Sequence, residues 1–256
     1  MRNFGKRRLS RALVALAIGL VFGAGAARAG EAHVAVAANF SDAAKEIAAA
    51  FKAQSGHDAV LSFGASGQFY AQITQAAPFD VFLSADEERP RKLAEEGLGV
   101  ASQRFTYAIG KLVLFSRSGA PGLDETTLRA GKFERLAIAN PVGAPYGAAA
   151  IETMRKLGVY DALKPKIVEG ASIAQAFQFV DTGNAEIGFV ALAQIVGRPG
   201  ARWLVPQELY APIRQDAILL KRGEANPAAA AFLAFLKGPQ ARAIVENYGY
   251  ALDAAP

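Results

Sequence analysis

The sequence contains no cysteine, and this absence excludes two kinds of site. Disulfide bridges and thiolate metal centres both require cysteine side chains. Histidine is also scarce, because only His33 and His57 occur in the chain. A catalytic triad would have to use one of these two residues, and we expect neither to be catalytic. Stability must therefore come from burial of the abundant Ala, Val, Leu and Phe side chains.

The N-terminal segment has the pattern of a secretory signal peptide. Basic residues are concentrated in residues 1–11, an apolar run covers 12–26, and Ala27-Arg28-Ala29 matches an A-x-A cleavage site. We predict that residues 1–29 are removed near Ala29 and that the protein is exported. A membrane anchor is the weaker alternative, because the apolar run is shorter than the roughly 20 residues that a span needs.

Removal of this segment reverses the charge balance of the chain. Six of the 28 Lys and Arg residues lie in residues 1–29, which leaves 22 basic residues against 23 acidic ones. The formal net charge of +5 therefore belongs to the leader. A nucleic-acid-binding domain retains a basic face after folding, so we expect no nucleic acid partner.

Strand-like and helix-like patterns alternate along the rest of the chain. The first predicted series is strand 33–38, helix 41–55, strand 59–63, helix 68–76, strand 80–84 and helix 87–96. After a Gly- and Pro-containing turn at 118–122, the second series is strand 136–139, helix 148–157, strand 167–168, helix 173–182 and strand 187–190. This order predicts two α/β units, each built on a parallel sheet.

Three extended segments and two helices complete the predicted organisation. The extended segments cover residues 105–109, 111–116 and 216–221, and the closing helices cover 227–236 and 239–247. If the segments near Ile109 and Asp216 both cross between units, the second unit is an insertion in the first. We therefore assign residues 30–110 and 215–256 to lobe I and residues 111–214 to lobe II.

Four turns share a pattern in which a short apolar run is followed by small or hydroxyl-bearing residues and then by a helix. They are residues 38–41, 64–67, 143–147 and 170–173, and none of them contains Lys or Arg. The free N–H groups and the positive dipole end of a helix start attract anions. If the four turns converge, they form a pocket of neutral donors suited to a small oxyanion.

Motifs of the common enzyme classes are missing from these turns. Gly64-Ala65-Ser66-Gly67 lacks the Gly-Lys-Ser/Thr ending of a P-loop, and no G-x-S-x-G or H-E-x-x-H motif occurs in the chain. We therefore expect a binding protein that is not an enzyme, with a secreted hydrolase as the rival class.

Six short motifs form an ordered set along the chain. They are Ala37-Ala38-Asn39-Phe40, Phe63-Gly64-Ala65-Ser66, Asp80-Val81-Phe82-Leu83-Ser84-Ala85-Asp86, Pro145-Tyr146-Gly147, Ile187-Gly188-Phe189-Val190 and Lys237-Gly238-Pro239-Gln240-Ala241. In order and spacing, this set resembles the periplasmic molybdate-binding proteins of ABC importers, over about residues 31–252.

The resemblance implies a two-lobed periplasmic-binding-protein fold of type II-like topology, in which each lobe is a mostly parallel sheet flanked by helices. Such a protein closes on molybdate or tungstate by rotation about two crossing segments and delivers the anion to a membrane ABC permease. The resemblance implies no cofactor, and molybdenum would be present only within the bound oxyanion, without direct protein ligands. We expect a monomer.

The resemblance also implies a set of ligand-binding residues. The family's ligands fall on Asn39 and Ser66 in the first lobe and on Tyr146 and Ile173 in the second, the last through its backbone N–H. Many members place a ligating tyrosine at the position of Ala191. Tyr146 stands where those members have alanine, so we expect its hydroxyl to replace the missing one.

Two alternatives remain open from the sequence. Asn39, Ser66 and Ser172 could cap helices, and Tyr146 could serve packing alone. The ligand could also be sulfate or thiosulfate, which present the same acceptor chemistry as molybdate at a smaller radius. Phosphate is less suitable, because its protonated form carries a donor that needs a carboxylate partner.

Overall fold

The computed structural model describes residues 29–118 and 122–253. The predicted signal peptide therefore lies almost entirely outside the described residues, as does the middle of the predicted turn at 118–122. Within the described part of the chain, no helix combines the length and the apolar character that a bilayer span requires.

The described residues form strands and helices in alternation. The strands are β1 (Glu31–Ala37), β2 (Asp58–Gly64), β3 (Val81–Leu83), β4 (Phe105–Gly110), β5 (Leu112–Ser116), β6 (Leu136–Ala139), β7 (Ile167–Gly170), β8 (Ile187–Ala191), β9 (Ala201–Leu204) and β10 (Ile213–Leu219). The helices are α1 (Ser41–Ser55), α2 (Ser66–Thr74), α3 (Glu88–Glu95), α4 (Glu125–Ala130), α5 (Pro145–Lys156), α6 (Tyr160–Leu163), α7 (Ile173–Asp181), α8 (Pro227–Lys237) and α9 (Pro239–Asn247).

The strands form two five-stranded sheets of matching topology. The first sheet has the order β2-β1-β3-β10-β4 and the second has the order β7-β6-β8-β5-β9. In each sheet the first three strands pair in parallel and the other two pairings are antiparallel. The prediction of a two-lobed α/β fold is confirmed. In each sheet four of the five strands run in the same direction, and a single strand, β10 in the first sheet and β5 in the second, runs against them.

The chain crosses between the two sheets at two adjacent points. Strand β4 of the first sheet ends at Gly110, and β5 of the second sheet begins at Leu112, so that only Lys111 separates them. The chain returns before Ile213, the first residue of β10. Because Gly110 and Ile213 are paired in the first sheet, the two crossings lie side by side, as a hinge requires.

Helix α1 shows how local sequence positions one of the four turns. Its apolar residues at helical spacing, including Ile47 and Phe51, are buried, and Gly56 ends the helix in the left-handed conformation at φ 74°. The alternative in which Asn39 caps this helix is wrong, because a 3-10 turn over residues 38–40 runs directly into it. The Ser41 hydroxyl instead donates to the Ala38 carbonyl at 2.8 Å.

Some predicted helices and strands differ from the structure, and local sequence features explain the differences. Helix α5 begins at Pro145, three residues earlier than predicted, because proline is well suited to the first position of a helix. Strand β9 and helix α4 were not predicted. Strand β9 is a short edge strand of four residues, and α4 begins after Asp124, whose carboxylate accepts from the N–H groups of Thr126 and Thr127.

A cluster of aromatic side chains holds the turn at residues 38–41 in place. The Phe40 ring is fully buried and packs edge-to-face on Tyr107 and Tyr250, with centroid separations of 4.8 and 5.3 Å. Such pairs add about 0.5–1.5 kcal/mol each beyond the burial of their surface. The turn is therefore fixed against β4 and against the C-terminal residues of the chain.

Candidate functional site

The four turns meet around one cavity between the two sheets. It is lined by Ala37, Ala38, Asn39, Gly64, Ala65, Ser66, Ala85, Ala144, Pro145, Tyr146 and Ile173. The set therefore contains all four of the residues that we predicted to bind the ligand. Each of these four is buried, with an exposed fraction of 4% or less. The structure thus brings together residues that are as much as 134 positions apart in sequence, from Asn39 to Ile173.

Helix starts supply the electrostatic character of this cavity. Helices α2, α5 and α7 begin at Ser66, Pro145 and Ile173, all of which line it, and a 3-10 turn begins beside it at Ala38. The first N–H groups of a helix have no acceptor within the helix, and the positive end of the dipole lies there. Several positive dipole ends therefore converge on one small volume without any formal charge.

Ser66 is the first residue of α2 and is not its cap. Ala65 occupies the cap position, and the Ser66 Oγ accepts a hydrogen bond from the Ala85 N–H at 2.9 Å. This contact uses a lone pair of the hydroxyl and leaves its proton available for a ligand. Ser172, by contrast, does cap α7, since its Oγ accepts from the Gln175 N–H at 3.4 Å.

Tyr146 is the second residue of α5, and its side chain lines the cavity. Its hydroxyl oxygen accepts from Gln215 Nε2 at 3.1 Å, which leaves the phenolic proton free to be donated. Burial raises the pKa of Tyr146 well above its usual value, and the nearby Tyr250 and Tyr210 add to this rise. The phenol is therefore neutral and remains a donor at physiological pH.

The Asn39 side chain is engaged by protein acceptors rather than turned to the cavity as a free donor. Its Nδ2 donates to Gln215 Oε1 at 2.8 Å and to the Tyr250 hydroxyl oxygen at 3.0 Å, so both amide protons have partners. The Tyr250 hydroxyl in turn donates to the Asn39 carbonyl at 2.8 Å. The donor that Asn39 can offer to an anion is therefore its backbone N–H, at the start of a helical turn.

Ile173 also offers its backbone. Its side chain is buried, and its N–H is in the first turn of α7, where no helical acceptor is available. Gln194 Nε2 donates to the Ile173 carbonyl at 3.1 Å and thereby holds this turn against the end of β8. Ala191, the last residue of β8, is fully buried and carries no donor side chain, which leaves Tyr146 as the hydroxyl of this half of the cavity.

The described residues that line the cavity carry no charged side chain. Arg89 pairs with Asp86 and donates to the Val142 carbonyl in the other half of the molecule at 2.9 Å. Asp80 lies at a strand end, where it accepts from the His33 N–H and from Asn226 Nδ2. Across residues 29–118 and 122–253, no three His, Asp or Glu side chains are grouped so that they could hold a metal ion.

The two halves of the molecule are closed on each other. The Gly67 N–H donates to the Gly143 carbonyl at 2.9 Å across the cleft, next to the contact between Arg89 and Val142. The cavity between them measures about 10 Å³. A single water needs roughly 10–15 Å³, so a tetrahedral oxyanion enters only when the halves separate.

Three further residues belong to this site and were not predicted. Gln215, Tyr107 and Tyr250 are buried and form hydrogen bonds that link Asn39 to Tyr146. The one signal in the sequence is that Arg214, Gln215 and Asp216 interrupt an otherwise apolar strand pattern. A buried polar side chain in such a strand needs a partner, and that requirement points to a network.

Comparison with known proteins identifies relatives over nearly the whole chain. Residues 32–251 match the family described as bacterial extracellular solute-binding protein. The Molybdate-binding protein ModA of Rhodobacter capsulatus is 55% identical over 241 residues, which cover 93% of this chain and 96% of the relative. That of Azotobacter vinelandii is 53% identical over 250 residues, covering 96% and 98%.

A solved structure gives the same result. The Azotobacter vinelandii periplasmic molybdate-binding protein superposes with a TM-score of 0.85 and 40% identity, covering 87% of this chain and all of that chain. The fold, the family match and the identity to curated relatives agree. The chain belongs to the bacterial extracellular solute-binding proteins, in the group that contains these molybdate-binding relatives.

Proposed function

We propose that this protein is a periplasmic receptor that captures molybdate or tungstate between two lobes and delivers it to an ABC permease. Residues 1–29 would direct its export and be removed near Ala29. Lobe I comprises residues 30–110 and 215–256, and lobe II comprises residues 111–214. The protein acts as a monomeric binding protein and not as an enzyme. Its relatives are named as molybdate-binding proteins, which supports this assignment.

One observation carries the proposal: the described residues that line the cavity are all neutral, and they come from four separate turns. The donors are the hydroxyls of Ser66 and Tyr146 and the backbone N–H groups of Asn39 and Ile173. Molybdate is a dianion at neutral pH and offers acceptors alone, so a site of donors matches it. Hydrogen bonds to an ionised partner are stronger than neutral ones, and closure of the lobes removes competing water.

The lining also separates this ligand class from phosphate. Among the residues that the structure describes, no Asp or Glu lines the cavity, so the proton of hydrogen phosphate would have no carboxylate to accept it. Sulfate and thiosulfate satisfy the same donors, and discrimination against them depends on how far the lobes close around the anion. Measured affinities therefore decide between molybdate and these two smaller anions.

Calorimetric titration of the ligand-free exported protein tests the proposal. Molybdate and tungstate should bind tightly with one site per chain, sulfate should bind much more weakly, and phosphate should give no signal. Tighter binding of sulfate or thiosulfate than of molybdate would transfer the assignment to those anions. No binding of any of the four anions would refute an oxyanion receptor.

Replacement of Tyr146 by phenylalanine should weaken molybdate binding. The variant removes one hydroxyl donor to the anion and leaves Gln215 Nε2 without its acceptor. A hydrogen bond to a charged group contributes about 1.5–3 kcal/mol, so the dissociation constant should rise roughly tenfold to a hundredfold. Calorimetry gives the change directly. Unchanged affinity would show that Tyr146 has only a packing role.

Binding of molybdate should compact the protein in solution. Because the cavity measures only about 10 Å³, the lobes must separate before the anion enters, and the adjacent crossings at Gly110 and Ile213 allow such a rotation. Small-angle scattering should therefore give a larger radius of gyration without ligand than with saturating molybdate. Identical scattering curves in both conditions would contradict a hinged closure.

A further inference from the structure

Gln215 connects the two halves of the cavity through its side-chain amide. The residue lies on β10, next to the crossings, and is fully buried. Its Oε1 accepts from Asn39 Nδ2 at 2.8 Å and from the Tyr107 hydroxyl at 3.1 Å. Its Nε2 donates to the Tyr146 hydroxyl oxygen at 3.1 Å. One amide therefore contacts a proposed ligand-binding residue in each lobe.

The direction of these hydrogen bonds follows from the chemistry of the partners. The Asn39 Nδ2 group only donates, so the atom of Gln215 that faces it must be the oxygen. The nitrogen of Gln215 then faces Tyr146 and can only donate to the hydroxyl oxygen. Because that oxygen accepts a hydrogen bond from Gln215, the O–H group of Tyr146 is free to donate to another acceptor. The amide thus fixes Tyr146 as a donor toward the cavity.

We propose that Gln215 is a positioning residue for anion binding: it orients the Tyr146 proton toward the ligand and ties this orientation to the closed arrangement of the lobes. The proposal rests on the function proposed above and adds a residue that does not itself line the cavity. In the open form Tyr146 and Asn39 separate, and the amide loses one of its partners. Closure therefore restores the donor direction at the moment that the anion is enclosed.

A local irregularity of the first sheet places Gln215 where it can act in this way. The pairing of β10 with β4 shifts between Gln215 and Asp216, so that Tyr107 of β4 has no paired residue on β10. Such bulges re-aim side chains beside binding sites. Here the bulge lets the Tyr107 hydroxyl reach both Gln215 Oε1 and the Ser84 carbonyl, each at 3.1 Å.

The surroundings of Gln215 are uncharged where its side chain makes contact. Tyr107, Tyr146 and Tyr250 are all neutral, because burial raises the pKa of each well above its usual value. The neighbouring carboxylate of Asp216 is paired with Arg104 at 2.5 Å and with the Thr106 hydroxyl at 2.7 Å. Asp86 is paired with Arg89 at the cleft rim and raises the pKa of Tyr107 only from a distance.

The variant Gln215→Glu tests the donor direction, because a carboxyl group has two states of similar shape. When ionised, the carboxylate can only accept hydrogen bonds. The Tyr146 hydroxyl would then donate to it instead of to the ligand, and its negative charge would repel the dianion. When protonated, it presents one acceptor oxygen and one O–H donor, which is the pattern of the amide. Burial raises the pKa of such a carboxyl to as much as about 8–9, so both states are accessible between about pH 6 and pH 9.

We expect the molybdate affinity of Gln215→Glu to depend strongly on pH. At about pH 9 the dissociation constant should be at least roughly a hundredfold above that of the unmodified protein, from a lost donor and an added like charge. At about pH 6 it should return to within roughly tenfold, as the carboxyl protonates. The unmodified protein should show little change over this range. Calorimetry at several pH values, with circular dichroism to verify the fold, gives the profile.

Two further variants separate this role from packing and from surface charge. Gln215→Met keeps a similar volume without hydrogen bonds, and its affinity should fall roughly tenfold at every pH. Gln54→Glu adds the same charge at an exposed position of α1, and its affinity should match that of the unmodified protein.

Specific outcomes would overturn the proposal. These are a pH-independent loss in Gln215→Glu, equal to that of Gln215→Met, or unchanged affinity in Gln215→Met. Should the unmodified protein itself fail to bind any oxyanion, the proposed function fails instead, and the two failures are thereby distinguished.

Discussion

Replacement of Gly67 by leucine should abolish tight anion binding while leaving the protein folded. A Cβ at this position would lie 2.9 Å from Gly143 Cα and 3.2 Å from the Gly143 carbonyl oxygen, both across the cleft. Backbone atoms cannot move aside cheaply, so the lobes would stop short of closure. The anion would then lose the donors of Tyr146 and Ile173, at about 1.5–3 kcal/mol for each hydrogen bond. The dissociation constant should rise roughly 100- to 10,000-fold.

The same variant should not destabilise the ligand-free protein. Gly67 lies in the first turn of α2, and leucine is a better helix former than glycine by somewhat less than about 1 kcal/mol. The thermal midpoint without ligand should therefore be equal or higher, whereas its increase on adding molybdate should disappear. Gly143→Ala is the matched control, because a Cβ there would have only an ordinary contact of 3.9 Å to Ala65. Tight binding by Gly67→Leu would contradict the closed geometry.

The periodic part of the fold was predictable from the sequence. Helix α1 matches its predicted range, since Ile47 and Phe51 mark one buried face and Gly56 marks the end. The closing helix α9 matches as well, with Pro239 at its first position. Strand β9 has only four residues at the edge of a sheet, too few for an alternating pattern to stand out.

The site was predictable in its location and less so in its chemistry. Each of the four turns follows the end of a strand, and ligands of α/β proteins bind outside the carboxyl ends of the strands. These turns contain Asn39, Ser66, Tyr146 and Ile173. The network around Gln215 could not be predicted, because its partners Asn39 and Tyr107 are 176 and 108 positions away in sequence. No local pattern reports such contacts.

The network also changes what Asn39 is expected to do. A sequence reading treats an asparagine in an anion-binding turn as a side-chain donor. Here its side-chain amide donates hydrogen bonds to Gln215 and Tyr250, so the side chain braces the turn, and the backbone N–H is the donor that we propose for the ligand. Asn39→Asp should therefore act mainly by breaking this bracing, because a carboxylate accepts where the amide donates. Affinity and thermal midpoint should fall together in that variant, and calorimetry with thermal unfolding measures both.

A substitution at Gly110 tests most directly whether the position of the Tyr146 hydroxyl matters for binding. A Cβ at Gly110 would lie 2.0 Å from the Tyr146 hydroxyl oxygen and 2.7 Å from Gln215 Nε2, so both groups would have to move. Overpacking costs about 1–3 kcal/mol and the lost donor about 1.5–3 kcal/mol, so Gly110→Ala should weaken molybdate binding on the order of a hundredfold or more. The φ angle of Gly110 is not in the left-handed region, so the backbone itself accepts alanine.

A double-mutant cycle with Tyr146→Phe assigns this loss to the hydroxyl. Once the hydroxyl is removed, the added methyl group has less to displace, so the double variant should bind only slightly more weakly than Tyr146→Phe alone. Calorimetric affinities of the two single variants and the double variant provide the coupling free energy. Additive losses would mean that the alanine acts at the crossing itself, by restricting lobe rotation, and that the position of the Tyr146 hydroxyl does not depend on Gly110.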